Sequence, residues 1–254
     1  MSVEAPHDEV ERIWPTTSNQ AEYRLKFPDH FARYDYASQL VSGRAVLDCA
    51  CGTGYGSWLL SQAGARSVVG VDVDQEAIQW ASAHFKLPNN DFRLRSEQSL
   101  PLANEEVDQV ISLETIEHLE NPGLFVSELA RVLVPGGRLL LSTPLTTGPE
   151  RLKPDNIYHL REFNAAELEE LLRPHFTIRE RLGQHSQTAA RFAQLKRSPL
   201  VGSLVRAGVH RALPQRARSL ARRLLRGSSG RDPVWISGER WEDAPVQIVL
   251  AVKK

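Results

Sequence analysis

Short apolar runs alternate along this chain with segments whose apolar residues recur at helical spacing. Runs at 45–48, 67–72, 91–94, 107–113 and 137–143 read as buried strands. Between them the spacing predicts helices over 55–64, 74–85, 122–133 and 164–173. A core that alternates strand and helix calls for a parallel sheet covered on both faces. Val134-Pro135-Gly136-Gly137 ends a helix and launches the fifth strand, and 176–181 with 246–252 read as a closing antiparallel pair. The expected fold is therefore α/β, a doubly wound, seven-stranded, mostly parallel sheet, with no internal repeat.

Composition adds bounds. A chain of 254 residues holds one α/β domain with additions. Lys plus Arg and Asp plus Glu number 31 each, so net charge predicts no polyanionic partner. The two cysteines, Cys49 and Cys51, share one short loop where a disulfide is implausible and C-x-C alone makes no zinc site, which implies a reducing compartment. The sequence shows no charged-then-apolar leader and no run near the about 20 apolar residues of a spanning helix. The expected location is cytoplasmic.

The most specific segment is Val46 to Gly56, VLDCACGTGYG, in which a strand runs straight into D-x-x-x-G-x-G. A nicotinamide fingerprint would read G-x-G-x-x-G and a P-loop would end in G-K-[ST]; this loop does neither and offers no Lys or Arg to a pyrophosphate. Asp48 ends the first strand and Asp72 the second, at the distance where doubly wound folds place a carboxylate on ribose hydroxyls. A ribose carboxylate beside a loop without phosphate chemistry suits S-adenosylmethionine. From about Ala45 to Phe176, and in the final strand, the chain resembles the class I S-adenosylmethionine-dependent methyltransferases. The resemblance implies that Asp48 and the backbone at Ala50, Gly52 and Gly54 hold the methionine part and that Asp72, followed by Val73, holds the ribose side. Ser96 and Glu97 fall where the family contacts adenine, although the family usually has an acid at the position of Ser96.

After the fourth strand come Glu114, Glu117 and His118 at i, i+3 and i+4, which share one face if that turn is helical. His159, in the loop after the fifth strand, is a candidate fourth ligand. Two carboxylates and imidazoles can hold a hard divalent cation, Mg²⁺ or Mn²⁺, with open positions for substrate oxygens. This E-x-x-E-H with a later histidine resembles the metal site of small-RNA 3′-terminal 2′-O-methyltransferases, and E-x-x-E-H also resembles ubiquinone-pathway O-methyltransferases. Glu11-Arg12-Ile13-Trp14-Pro15 and His159-Leu160-Arg161-Glu162-Phe163 look more like bacterial sugar and glycan O-methyltransferases. The resemblance implies a carbohydrate hydroxyl acceptor, a metal at Glu114, Glu117, His118 and His159, and His118 or His159, with Glu117, in the chemistry. Three alternatives stay open: a metal-free helix start with Glu117 and His118 as hydrogen-bonding residues, a phenolic or polyketide acceptor, and a non-catalytic cofactor-binding module.

Charge is segregated even though it sums to zero. From Leu182 to Arg231 there is no acid and there are eleven basic residues, Arg191 to Arg231; Leu200, Leu204 and Leu213 lie on one helical stripe, and after Pro214 a second runs through Leu220 and Leu224 with arginines opposite. This reads as a basic helical insertion over about 188–231, before the last strand. Two roles are expected of residues 191–231: peripheral contact with an anionic membrane at its inner face, or with a lipid-linked glycan; or a cap packed on the core or in a homodimer. Few aromatics interleave the arginines, which disfavours nucleic acid. Residues 1–42 are expected to form a helical lid preceding the 43–254 methyltransferase domain. His30, Tyr23, Tyr34, Tyr36 and Trp14 lie in that lid, as packing residues or as faces for a sugar.

Overall fold

The structure is a computed structural model that describes residues 12–96, 99–146, 158–186 and 234–254. Its strands are β1 (Ala45–Cys49), β2 (Ser67–Asp72), β3 (Asn90–Leu94), β4 (Val107–Leu113), β5 (Leu133–Pro144), β6 (Phe176–Ser186), β7 (Val234–Ser237) and β8 (Val246–Lys253). They form one sheet in the order β3-β2-β1-β4-β5-β8-β6-β7. The first five are parallel, and β8 enters antiparallel between β5 and β6.

The α/β doubly wound expectation holds with one correction, since the sheet has eight strands rather than seven. β6 continues past Arg181 to Ser186, and the extension gains β7 as an outer antiparallel partner, with Gly183 opposite Ser237 and Ser186 opposite Val234. Four residues, Val234 to Ser237, followed by Gly238, carry too little periodicity to register as a strand; the extended β6 edge supplies the partner. The expected insertion at 188–231 and the candidate Glu97 lie outside the described residues.

Residues alternate between two cores. Leu47, Cys49, Leu139, Leu141 and Val249 pack on one face with α5 (Pro122–Val132) and α6 (Ala165–Leu172). Val46, Val68, Ile111, Leu140 and Ile248 face the other side, with α2 (Pro28–Ser38), α3 (Tyr55–Gln62) and α4 (Gln75–His84). This is the period of two expected of a strand buried on both faces.

Helix starts follow local chemistry. Asp74 caps α4 by accepting from the amides of Glu76 and Ala77, Asn121 caps α5 ahead of Pro122, and Asn164 with Glu167 forms a reciprocal capping box on α6. The amino-terminal segment contributes α1 (Gln20–Lys26) and α2, and Ile13 and Trp14 before them are buried. The Trp80 indole donates to the Pro15 carbonyl at 2.8 Å, and Trp14 meets Trp80 edge-on at 5.4 Å. These contacts lay the strap at 12–15 across the carboxyl edge of the sheet.

Candidate functional site

A cleft of about 520 Å³ opens at the carboxyl ends of β1, β2 and β4, where a doubly wound sheet places its ligands. Its floor is the glycine loop. Ala50 has φ +66° and donates its amide to Val71; Cys51 donates to the same carbonyl. These bonds fold the loop back over β2, so that Ala50 to Thr53 line the cleft. Gly54, at φ +85°, starts α3 from the left-handed region and presses on Ala81 and Phe92, where a Cβ would approach to 2.5 Å. Gly54 is therefore a packing position behind the loop and is absent from the cleft lining.

The two acids divide the work. Asp72 lines the cleft, accepts from the amides of Gly52 at 2.8 Å and Asp74 at 3.0 Å, and lies 3.6 Å from Arg12. Arg12 also pairs with Asp74. Val73 lines the cleft beside it and is 46% exposed, which leaves its side chain free to take a flat apolar ligand face. Asp48 lies beneath the loop, 1% exposed, and accepts from the hydroxyls of Ser57 at 2.6 Å and Tyr34 at 3.1 Å. Burial pushes its carboxyl up to about 6, against the pull of the Ser57 and Tyr34 hydrogen bonds. Ser96 is exposed and uses its hydroxyl to hold the amide of Ser99 at 3.1 Å; it does not line the cleft.

The opposite wall carries the acid and histidine constellation. Glu114 follows β4 at φ +51°, with Thr115 at φ −131°, so the helical stagger begins only with the single 3₁₀ turn Ile116–His118. The expectation that Glu114, Glu117 and His118 share one helical face is thereby corrected. Glu114 instead receives a hydrogen bond from the Ser142 hydroxyl at 2.7 Å, and its amide donates to Ser142. Ligand atoms of Glu117, His118 and His159 lie within 4.8 Å of one another, and Glu114 is not among them.

Backbone bonds bring His159 to that group. The amides of Leu160 and Arg161 donate to the Glu117 carbonyl at 2.9 and 3.2 Å, while Leu145 pairs with Phe163 at the end of β5. The His118 and His159 rings meet edge-on at 5.0 Å. His118 Nδ1 lies 2.9 Å from the Tyr158 carbonyl, which only accepts, so Nδ1 is the donor there, and in the neutral ring Nε2 carries the lone pair. His159 Nδ1 lies 3.5 Å from Glu162. Glu117 is fully buried; one oxygen accepts from Thr143 at 3.0 Å and the other has no hydrogen-bond partner. Burial, then the nearby Glu114 charge, raises its carboxyl well above the ordinary range.

Several residues at the cleft escape motif reading. Arg33 and Tyr34 come from α2, Arg95 from the end of β3, Tyr55 from the first turn of α3, and Thr53, Thr115 and Leu160 from the loops. The one available signal was an arginine inside the apolar run of Phe31-Ala32-Arg33-Tyr34. His30 also lines the cleft; its enclosed ring, beside Arg33, is pushed down to about 3 by burial and then by the arginine charge, so it is neutral at working pH.

The observed cradle fits S-adenosylmethionine. The left-handed loop leaves open space above Gly52, with no atom within 4 Å of where a Cβ would stand, and the volume lies within the usual few hundred Å³ of a small-molecule site.

A family model described as a methyltransferase domain matches residues 47–141. A probable S-adenosylmethionine-dependent methyltransferase of Mycolicibacterium smegmatis is 39% identical over 201 residues, covering 78% of this chain and 76% of the relative. One of Mycobacterium tuberculosis is 38% identical over 148 residues, 58% of this chain and 53% of the relative. The solved structure of the [4+2]-cyclase SpnF shares the fold with a TM-score of 0.57 at 21% identity, covering 87% of this chain and 80% of that one. Glycine loop, paired acids and these relatives agree, and the chain belongs to the S-adenosylmethionine-dependent methyltransferases.

Proposed function

We propose that the protein methylates a hydroxyl of a sugar, in a glycan or a glycosylated metabolite, at the junction of the glycine loop and the Glu117, His118 and His159 cluster. The convergence of those three side chains beside the cleft carries this reading. S-adenosylmethionine supplies the methyl group from its sulfonium. The protein's part is to align an acceptor oxygen with that methyl and to take the proton from it.

The unpartnered Glu117 oxygen and the free Nε2 of His118 form a donor set that fits Mg²⁺ or Mn²⁺. Glu117, His118 and His159 would hold the ion, and its charge would favour an ionised acceptor hydroxyl. Glu114, held by Ser142, would have to turn to become a fourth ligand. A metal-free reading draws on the same His118 geometry, because a ring with Nδ1 protonated presents Nε2 as a base.

Mn²⁺ titration followed by electron paramagnetic resonance, with S-adenosylhomocysteine present, tests the metal. Binding that is lost in Glu117→Ala and in His159→Ala supports the assisted reaction; native protein that leaves the Mn²⁺ signal unchanged removes the metal and leaves His118 as base. The acceptor is tested by methyl transfer from labelled donor to oligosaccharides against simple phenols, and transfer to phenols alone would overturn the sugar.

A further inference from the structure

Arg33 is 7% exposed and lines the cleft, yet no carboxylate among the described residues pairs with it. Its partner is neutral: Nη1 donates to Gln184 Oε1 at 2.9 Å. Gln184, 3% exposed, is held in turn by donating Nε2 to Asp29 at 2.9 Å, which fixes the oxygen of the amide toward the arginine. The other cleft cation near an acid, Arg12, is neutralised by Asp72 and Asp74. Glu117 turns one oxygen to Thr143; the Arg33 charge is felt at its buried carboxyl, but no direct ion pair joins the two side chains.

A buried lysine in such a place could shed its proton. A guanidinium cannot, so its charge must be met by an anion. Gln184 supplies an acceptor and no charge, and most of the five N–H donors of Arg33 remain for something in the cleft. The planar fork matches a carboxylate through two parallel bonds.

We infer that Arg33, oriented by Gln184, binds a carboxylate carried by a ligand of this cleft. Two ligands can bring one: the methyl donor, through its amino-acid end, and an acceptor that is itself an acid. The inference rests on membership of the family and on the position of Arg33, and it is independent of the metal.

Titration calorimetry with S-adenosylhomocysteine and with 5′-methylthioadenosine, which lacks the amino-acid end, separates the sources. If the donor supplies the carboxylate, Arg33→Met weakens S-adenosylhomocysteine by about tenfold or more, the scale of a lost charged hydrogen bond. It then leaves 5′-methylthioadenosine unchanged, which also shows that the variant is folded, and Arg33→Lys recovers part of the loss. If the ratio of the two affinities does not move, sodium acetate is titrated onto protein saturated with S-adenosylhomocysteine. Acetate binding in the native protein that is absent in Arg33→Met assigns the carboxylate to the acceptor. No change in the ratio and no acetate binding would overturn the inference.

Discussion

The Tyr34 hydroxyl, from helix α2 of the amino-terminal segment, donates to the Asp48 carboxylate at 3.1 Å beneath the glycine loop. To reach it the Tyr34 ring crosses Gly56 so closely that a Cβ there would stand 2.0 Å from Cζ. The third glycine of the loop segment therefore makes room for the Tyr34 ring of α2. One aromatic ring thus joins helix α2 to the floor of the cleft.

Gly56→Ala is expected to push Tyr34 off Asp48 and to cost at least about 2 kcal/mol of stability, as overpacking does. Tyr34→Phe keeps the ring and loses only the hydrogen bond, for about 1 kcal/mol. The double variant Gly56→Ala with Tyr34→Ala should be more stable than the sum of its parts, because the clash is removed. Denaturant unfolding of the native protein, Gly56→Ala, Tyr34→Ala and the double variant measures this, and strict additivity would mean the contact is not made.

Asp48 gives a pH signature. Its carboxyl is raised from 3.8 to about 6 by burial, so the native state holds the proton more tightly than the unfolded chain. The associated stability is present below about pH 4 and is lost as pH rises through 6, a difference on the order of 2–3 kcal/mol. Asp48→Asn should escape that loss. Its melting temperature relative to the native protein is expected to climb between pH 4 and 7, and a constant difference would contradict the buried charge.

Asp72 and Ser96 should differ sharply. Asp72 lines the cleft and fixes the Gly52 amide, so Asp72→Ala is expected to weaken S-adenosylhomocysteine by about tenfold or more. Ser96 ties a turn at the surface, and Ser96→Ala should change affinity by less than about threefold. Calorimetric titration of both variants decides the matter; equal losses would put Ser96 at the ligand.

Glu117 trades stability for its place at the site. A fully buried carboxyl with one unpartnered oxygen and a raised proton affinity destabilises the fold increasingly as pH rises through its folded value. Glu117→Gln should therefore melt higher than the native protein at pH 8 in chelator while failing to bind Mn²⁺. A lower melting temperature would show that the charge is compensated in the fold.

The sequence by itself determined the fold class, the order of strands and helices through β5, and the cofactor loop with Asp48 and Asp72. These are local properties: apolar period, caps and turn glycines act within about ten residues. It also put the acids and histidines of the second wall in one group, of which Glu117, His118 and His159 come together in the fold. Glu114 left the cluster because one backbone rotation, φ +51°, ended the stagger that spacing assumed. His159 joined it through backbone bonds from its own loop to Glu117.

Tertiary structure alone decided the rest. Arg33 and Gln184 meet across 151 positions, and Tyr34 reaches an acid that the motif assigned to the cofactor. β7 exists because β6 runs on to offer it an edge. Contacts at such separation leave no periodic trace in a sequence, since they are fixed by how the sheet twists and where the lid packs. An arginine on an apolar helix face announces itself as a site only once burial has removed its solvent and, among the described residues, no acid forms an ion pair with it.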